Sequence, residues 1–123
     1  MPTEEINSTH WKAFCGKFLQ LHRGDLMSVT KIEPSGQNVE ILKDMPLTNV
    51  WMESDGCNDR IFLNFEQDGK REVKHEIFEP IHLKLREESG GRKGLQFDAE
   101  NGSTLLLFRS GHISELLHAA NGG

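Results

Sequence analysis

The chain of 123 residues has no tyrosine, only two cysteines and four prolines, and no apolar run longer than the four residues Leu105 to Phe108. Each scarcity excludes something. A bilayer-spanning helix needs about 18–20 consecutive apolar residues, so no membrane partner is expected. Cys15 and Cys57 stand far apart with no C-x-x-C, which argues against a disulfide framework or a thiolate zinc site. The first ten residues, MPTEEINSTH, are polar and acidic and lack the apolar core of a secretion signal, so a cytoplasmic protein with two free thiols is expected. Basic charge is also short. The formal net charge is −5, and a general nucleic-acid binder needs a basic face to neutralise phosphates. Nucleic acid is therefore not the expected partner. The one local exception runs from Lys70 to Lys93, with seven Lys/Arg against five Asp/Glu; a solvated face of mixed charge accounts for it. Catalytic signatures are missing as well. There is no G-x-S-x-G elbow, no glycine-rich phosphate loop opening a helix and no H-E-x-x-H, so no catalytic residue, metal or cofactor is assigned.

What is present is enough for one domain spanning 1–123, with 36% hydrophobic and 27% charged residues. Trp11, Phe14, Cys15, Phe18 and Leu19 follow the i, i+3, i+4, i+7, i+8 spacing of one apolar helix stripe. Ser8 or Thr9 is the expected N-cap, and Gly24 suits the left-handed position after the last turn. Residues 1–8 are expected to be a disordered start. Beyond Gly24 the chain breaks into short alternating segments punctuated by Ser35-Gly36, Asp55-Gly56, Asp68-Gly69, Gly90-Gly91 and Asn101-Gly102, dipeptides that accept the positive φ of tight hairpins. Val39 and Ile41, then Ile61, Leu63 and Phe65, then Leu95, Phe97 and Ala99 give apolar faces; Ser103 to Arg109 is apolar more continuously, as for a central strand. The expected fold is α+β and mostly β: an N-terminal amphipathic helix, then a strongly bent antiparallel meander or partly closed barrel of about seven strands. A short C-terminal helix is expected from Ile113, Leu116, Leu117 and Ala120, with a frayed tail at 119–123.

An ordered set of short motifs spans Trp11 to Phe108. A Trp-led helix ends in His22-Arg23-Gly24, followed by Met45-Pro46-Leu47, His75-x-Ile77-x-x-Pro80 and an Asn101-Gly102-x-x-Leu105 hairpin. In this order the chain resembles a family of short bacterial proteins catalogued as a domain of unknown function. The resemblance implies a cytoplasmic bacterial protein; it implies no activity, cofactor or catalytic residue.

Six histidines invite a metal hypothesis, but His112 and His118 are six apart and His75 and His82 seven apart. Neither spacing matches the H-x₃₋₅-H of a zinc site. In KHEIFEPIHLKL, Lys74 to Leu85, the odd positions are mainly apolar and the even positions mainly polar. His75 and His82 therefore face opposite sides of a continuous strand, and Pro80, lacking an amide donor, marks a corner between two strands. His75 falls on the apolar side and is expected to make a buried hydrogen bond. The acidic run Glu53 to Asp59 reads as a hairpin turn rather than a calcium loop, and the basic glycine-rich stretch Ser89 to Gly94 as a hairpin rather than an anion cradle. The expectation is a small non-enzymatic domain that binds a protein or a small ligand, with self-association through an exposed sheet edge. Its contact residues would be His22, Arg23 and Trp51: the polar end of the helix and a large aromatic in a short segment. The alternatives are a Sm-like RNA-binding barrel, by analogy with a helix preceding bent strands, and a small enzyme with an unrecognised site.

Overall fold

The apolar stripe forms helix α1, Trp11–His22, in the computed structural model, which describes residues 3–87 and 92–109. Trp11, Phe14, Cys15 and Phe18 are buried, and His22 completes their stripe. The capping differs from expectation. Neither Ser8 nor Thr9 caps α1; a 3-10 turn, Ser8–His10, precedes it, and the Asn7 side chain accepts from the Thr9 amide at 3.0 Å. Gly24 does take the left-handed conformation, with φ +90°, and its amide donates to the Leu47 carbonyl at 2.7 Å. That bond ties the end of α1 to the sheet.

Eight strands follow the chain around this helix: β1 (Thr3–Glu5), β2 (Leu26–Ile32), β3 (Asn38–Ser54), β4 (Asp59–Gln67), β5 (Arg71–Phe78), β6 (His82–Glu87), β7 (Arg92–Ala99) and β8 (Gly102–Arg109). They form one antiparallel sheet in the order β1-β6-β7-β8-β2-β3-β4-β5, open between β1 and β5. The fold is thus α+β and mostly β, as expected, but the strands do not form a single meander. Two meanders, β2 to β5 and β6 to β8, are joined by the non-local pairing of β2 with β8. The expected C-terminal helix, the 119–123 tail and the Gly90-Gly91 turn lie outside the described residues.

The bend comes from β3. This strand of 17 residues pairs first with β2 and then with β4. Bulges interrupt the ladders at Met27/Val29, Val29/Thr30 and Leu47/Asn49, and Asp44 sits at φ +52°. Extra residues on one strand bend and twist it, so the two halves of the sheet turn their inner faces toward each other. Ile61, Leu63, Phe65, Leu83, Leu85, Leu95, Phe97 and Leu106 fill the space between, with α1 packed against β3.

Two expectations about the periphery change. Residues 3–8, expected to be disordered, are held to the fold: Thr3–Glu5 pairs with β6, Ile6 is buried, its amide donates to the Leu83 carbonyl at 2.8 Å, and the Trp11 indole N–H donates to the Ile6 carbonyl at 2.9 Å. Val39 and Ile41 alternate as read but are exposed, whereas Leu42 is buried. Over Asn38 to Leu42, β3 pairs with β2 alone, and β4 joins it only from Leu47 onward.

Candidate functional site

Pro80 lies at a corner, as its missing amide requires, and the corner holds two apolar side chains in solvent. Phe78 is 51% and Ile81 56% exposed, while Pro80 between them is buried. The position of Phe78 was legible, since it falls on the polar parity of its segment. Ile81 was expected on the buried side; the alternation breaks at Glu79 and resumes only at Leu83. Two backbone bonds fix this arrangement. The Glu79 amide donates to Asp59 at 2.8 Å, extending the β4–β5 ladder, and the Ile81 amide donates to Asp98 at 2.6 Å, extending β6–β7. Between those anchors Glu79 is forced to φ +50°. A β-carbon residue before proline strongly prefers extended backbone, so this conformation costs about 1–3 kcal/mol and persists because its surroundings over-determine it. An open groove of about 890 Å³ runs beside the corner, with Phe78 and Ile81 as apolar walls and Asp59, Glu79, Glu100 and Cys57 at its margin. Nearby, Asp55 accepts from the Cys57 and Asn58 amides at 3.1 and 2.8 Å; those bonds hold its carboxyl below the usual range.

The surface continues over the outer face of β3, β4 and β5. Trp51 stacks on Phe62 with ring centroids 4.8 Å apart, and the Lys74 ammonium lies 5.3 Å from the Phe62 ring. Arg60 lies 5.8 Å from the ring of Phe78. These are ordinary cation–π distances. The cross-strand register produces them: Trp51 pairs with Phe62, and Arg60 with Phe78. Carboxylates share the same face. The Trp51 indole donates to Glu53 at 3.0 Å, Arg60 lies 3.8 Å from Glu76, and Thr48 donates to Glu72 at 3.4 Å. The face is therefore aromatic and mixed in charge rather than basic.

The structure does not bring the expected contact residues together. Trp51 is partly buried on the outer face of β3, as part of the aromatic stack. His22 is 0% exposed and lies against Phe18 and Phe108, with ring centroids 4.7 and 4.9 Å away; its Nδ1 is 2.9 Å from Asp25 Oδ2. It packs inside the molecule instead of presenting itself. Arg23 is exposed at the C-cap of α1, its amide bonded to Leu19 at 2.9 Å. Burial pushes the Cys15 thiol up to about 12, so it is core and not a nucleophile. A second groove of about 670 Å³ lies along the β2–β3 bulges beside Ser28, Lys43 and Asp44; the Ser28 hydroxyl there accepts from the Asp44 amide at 3.2 Å.

His75 and His82 part company as the alternation required. His82 pairs with Glu5 at 2.6 Å on the surface, while His75 Nε2 reaches inward to the Thr104 hydroxyl at 3.4 Å. Among the described residues no three His, Cys, Asp or Glu side chains gather where they could hold a metal, and no helix is long and apolar enough to cross a membrane. Burial, with the nearby Lys31 ammonium, holds the His75 imidazole below its ordinary value. The unfolded chain binds that proton more readily, so the native state has its full stability above about pH 6.5 and loses part of it as the pH falls toward the folded value. Urea midpoints measured against pH should therefore decline less steeply below that point for His75→Gln than for the parent; parallel profiles would show that His75 does not titrate differently on folding.

A second polar cluster has a structural account. Asp98 accepts from Ser103 at 2.6 Å, Gln96 at 2.7 Å and Lys84 at 3.1 Å. Burial pushes its carboxyl up, and these three donors outweigh that and hold it below the usual range. The cluster spans β6, β7 and β8 and is satisfied within itself, so it fixes register.

Comparison with protein-family models, with curated proteins and with solved structures gives no match. The site is therefore interpreted from its own geometry.

Proposed function

We propose that this chain is a non-enzymatic binding domain that docks another protein on the Phe78–Pro80–Ile81 corner and the adjoining Trp51–Phe62 face. One observation carries the reading: two large apolar side chains stand more than half exposed on either side of a buried proline, on a backbone held strained by two sheet ladders. A rigid apolar pair in solvent is what an interface core needs, because little conformational freedom is lost when a partner covers it. The rim selects the partner's chemistry. Asp59, Glu79 and Glu100 border the groove, and Arg60 is the cation beside them, so an apolar segment flanked by lysine or arginine fits best.

The RNA-binding alternative is supported by the stacked aromatics and Lys74, and opposed by Glu53, Glu72 and Glu76 on the same face. The enzyme alternative finds less: the His82–Glu5 pair is exposed and lines neither groove.

The test is selection from a displayed peptide library, with binding measured on the parent and on the double variant Phe78→Ser/Ile81→Ser. Both positions are exposed, so the double variant should keep its fold, checked by circular dichroism. Apolar-basic peptides should emerge and lose at least tenfold in affinity on the double variant, as interface-core residues usually do. Binders indifferent to these substitutions would overturn the reading. So would binding of single-stranded RNA with a steep salt dependence.

A further inference from the structure

We propose that the open edge of β5 pairs antiparallel with β5 of a second copy of this chain, in the register that sets Lys74 opposite Glu76 of the second copy. The inference does not rest on the docking reading, since it uses the outward main chain of β5, although Phe78 and Glu79 belong to both surfaces.

The edge is available by its hydrogen-bond pattern. In an antiparallel ladder alternate residues exchange both main-chain bonds with their neighbour, and those between point away. The Glu79–Asp59 bond, together with the pairing of Ile77 to Ile61 and His75 to Leu63, assigns the odd residues of β5 to β4. The amides and carbonyls of Glu72, Lys74, Glu76 and Phe78 therefore point away from β4, and among the described residues β5 is the last strand of the sheet. No hydrogen bond among the described residues uses them. The other edge, β1, is only three residues long, so β5 is the longer template for strand addition.

The sequence of β5 selects the partner and the register. With Lys74 opposite Glu76 of the second copy, two-fold symmetry repeats the pair, giving two opposite-charge contacts. The same register sets Val73 beside Ile77 of the second copy and Arg71 beside Glu79, each twice. Glu72 falls beside Phe78, which is neutral. Sliding by two residues keeps the outward amides in place but destroys the match. One slide puts Lys74 opposite itself and Glu72 opposite Glu76; the other puts Glu76 opposite itself. Like charges directly opposite are destabilising, which rejects both slides; the register beyond them, with Lys74 opposite Glu72, matches charge but overlaps only Arg71 to His75 of β5, against Glu72 to Phe78 here. Alternating charge on an edge strand also serves to repel other chains, and that role predicts a monomer.

Sedimentation equilibrium over a concentration series distinguishes the two. The parent should form a dimer. Lys74→Glu replaces both attractive pairs with repulsive ones and should raise the dissociation constant at least tenfold, whereas the exchange Lys74→Glu/Glu76→Lys restores both pairs and should recover the parent value. Both positions are exposed, so folding is expected to survive. Glu76→Pro removes one outward amide without touching the β4 ladder and should also favour the monomer. A monomeric parent would overturn the proposal, as would a charge exchange that fails to restore what Lys74→Glu removes. A dimer here with no corner-dependent peptide binding would leave the edge pairing standing and sink only the docking reading.

Discussion

Phe18→Ala is expected to destabilise the protein by about 3–5 kcal/mol, the usual range for removing a fully buried phenylalanine. Phe18 is 0% exposed. Its ring sits 5.0 Å from Phe108 at an interplanar angle of 85°, 6.2 Å from Phe14 and 4.7 Å from His22. Edge-to-face pairs of this kind add about 0.5–1.5 kcal/mol to the area they bury. Phe108 belongs to β8, a central strand, and Phe18 to α1, whose end is tied to β3 through Gly24 and Leu47. Neither element can move in to fill the space, so the loss should include a large cavity contribution. Urea denaturation followed by far-ultraviolet circular dichroism and by tryptophan fluorescence measures it, with Phe18→Leu as a milder comparison. A loss below about 1 kcal/mol would mean that the helix contributes little to the core.

Gly102→Ala should be the costliest glycine substitution among those described. Gly102 has φ +123°, and a β-carbon built there would lie 2.6 Å from the Ile32 carbonyl oxygen. That oxygen is main chain, on the strand that β8 pairs with, so the clash can be relieved only by parting β2 from β8. Strained backbone alone costs about 1–3 kcal/mol. With the displacement added, a loss of about 3 kcal/mol and a fall in Tm on the order of 10 °C are expected. Gly56 isolates the contact contribution: its φ is +91°, yet nothing lies within 4 Å of the same built atom. Gly56→Ala should cost clearly less in the same thermal melts, and equal losses would mean that the Ile32 contact has no part in the effect.

These two residues also show where sequence and tertiary structure divide. Phe18 was legible as core because the helical period of Trp11, Phe14 and Cys15 includes it, and Gly102 was legible as a turn glycine because Asn-Gly favours positive φ. The same local logic placed α1, most of the hairpin turns, the corner at Pro80 and the separation of His75 from His82. Spacing along the chain determines such features, since side chains two, three or four residues apart meet through local geometry.

Only the tertiary structure decided what each surface meets. The pairing of β2 with β8 joins segments some 75 residues apart, and no period in the sequence encodes it. His22 continues the apolar stripe but reads as a polar helix end until Phe108 closes over it. Val39 and Ile41 alternate like core residues and stay exposed on the part of β3 that β4 does not reach. Phe62 was on the wet parity and is buried nonetheless, because Trp51 and Lys74 cover it across the strands. The corner belongs to both levels. Proline dictated a break in the strand, whereas the ladders to Asp59 and Asp98 determined that Phe78 and Ile81 would both face solvent there.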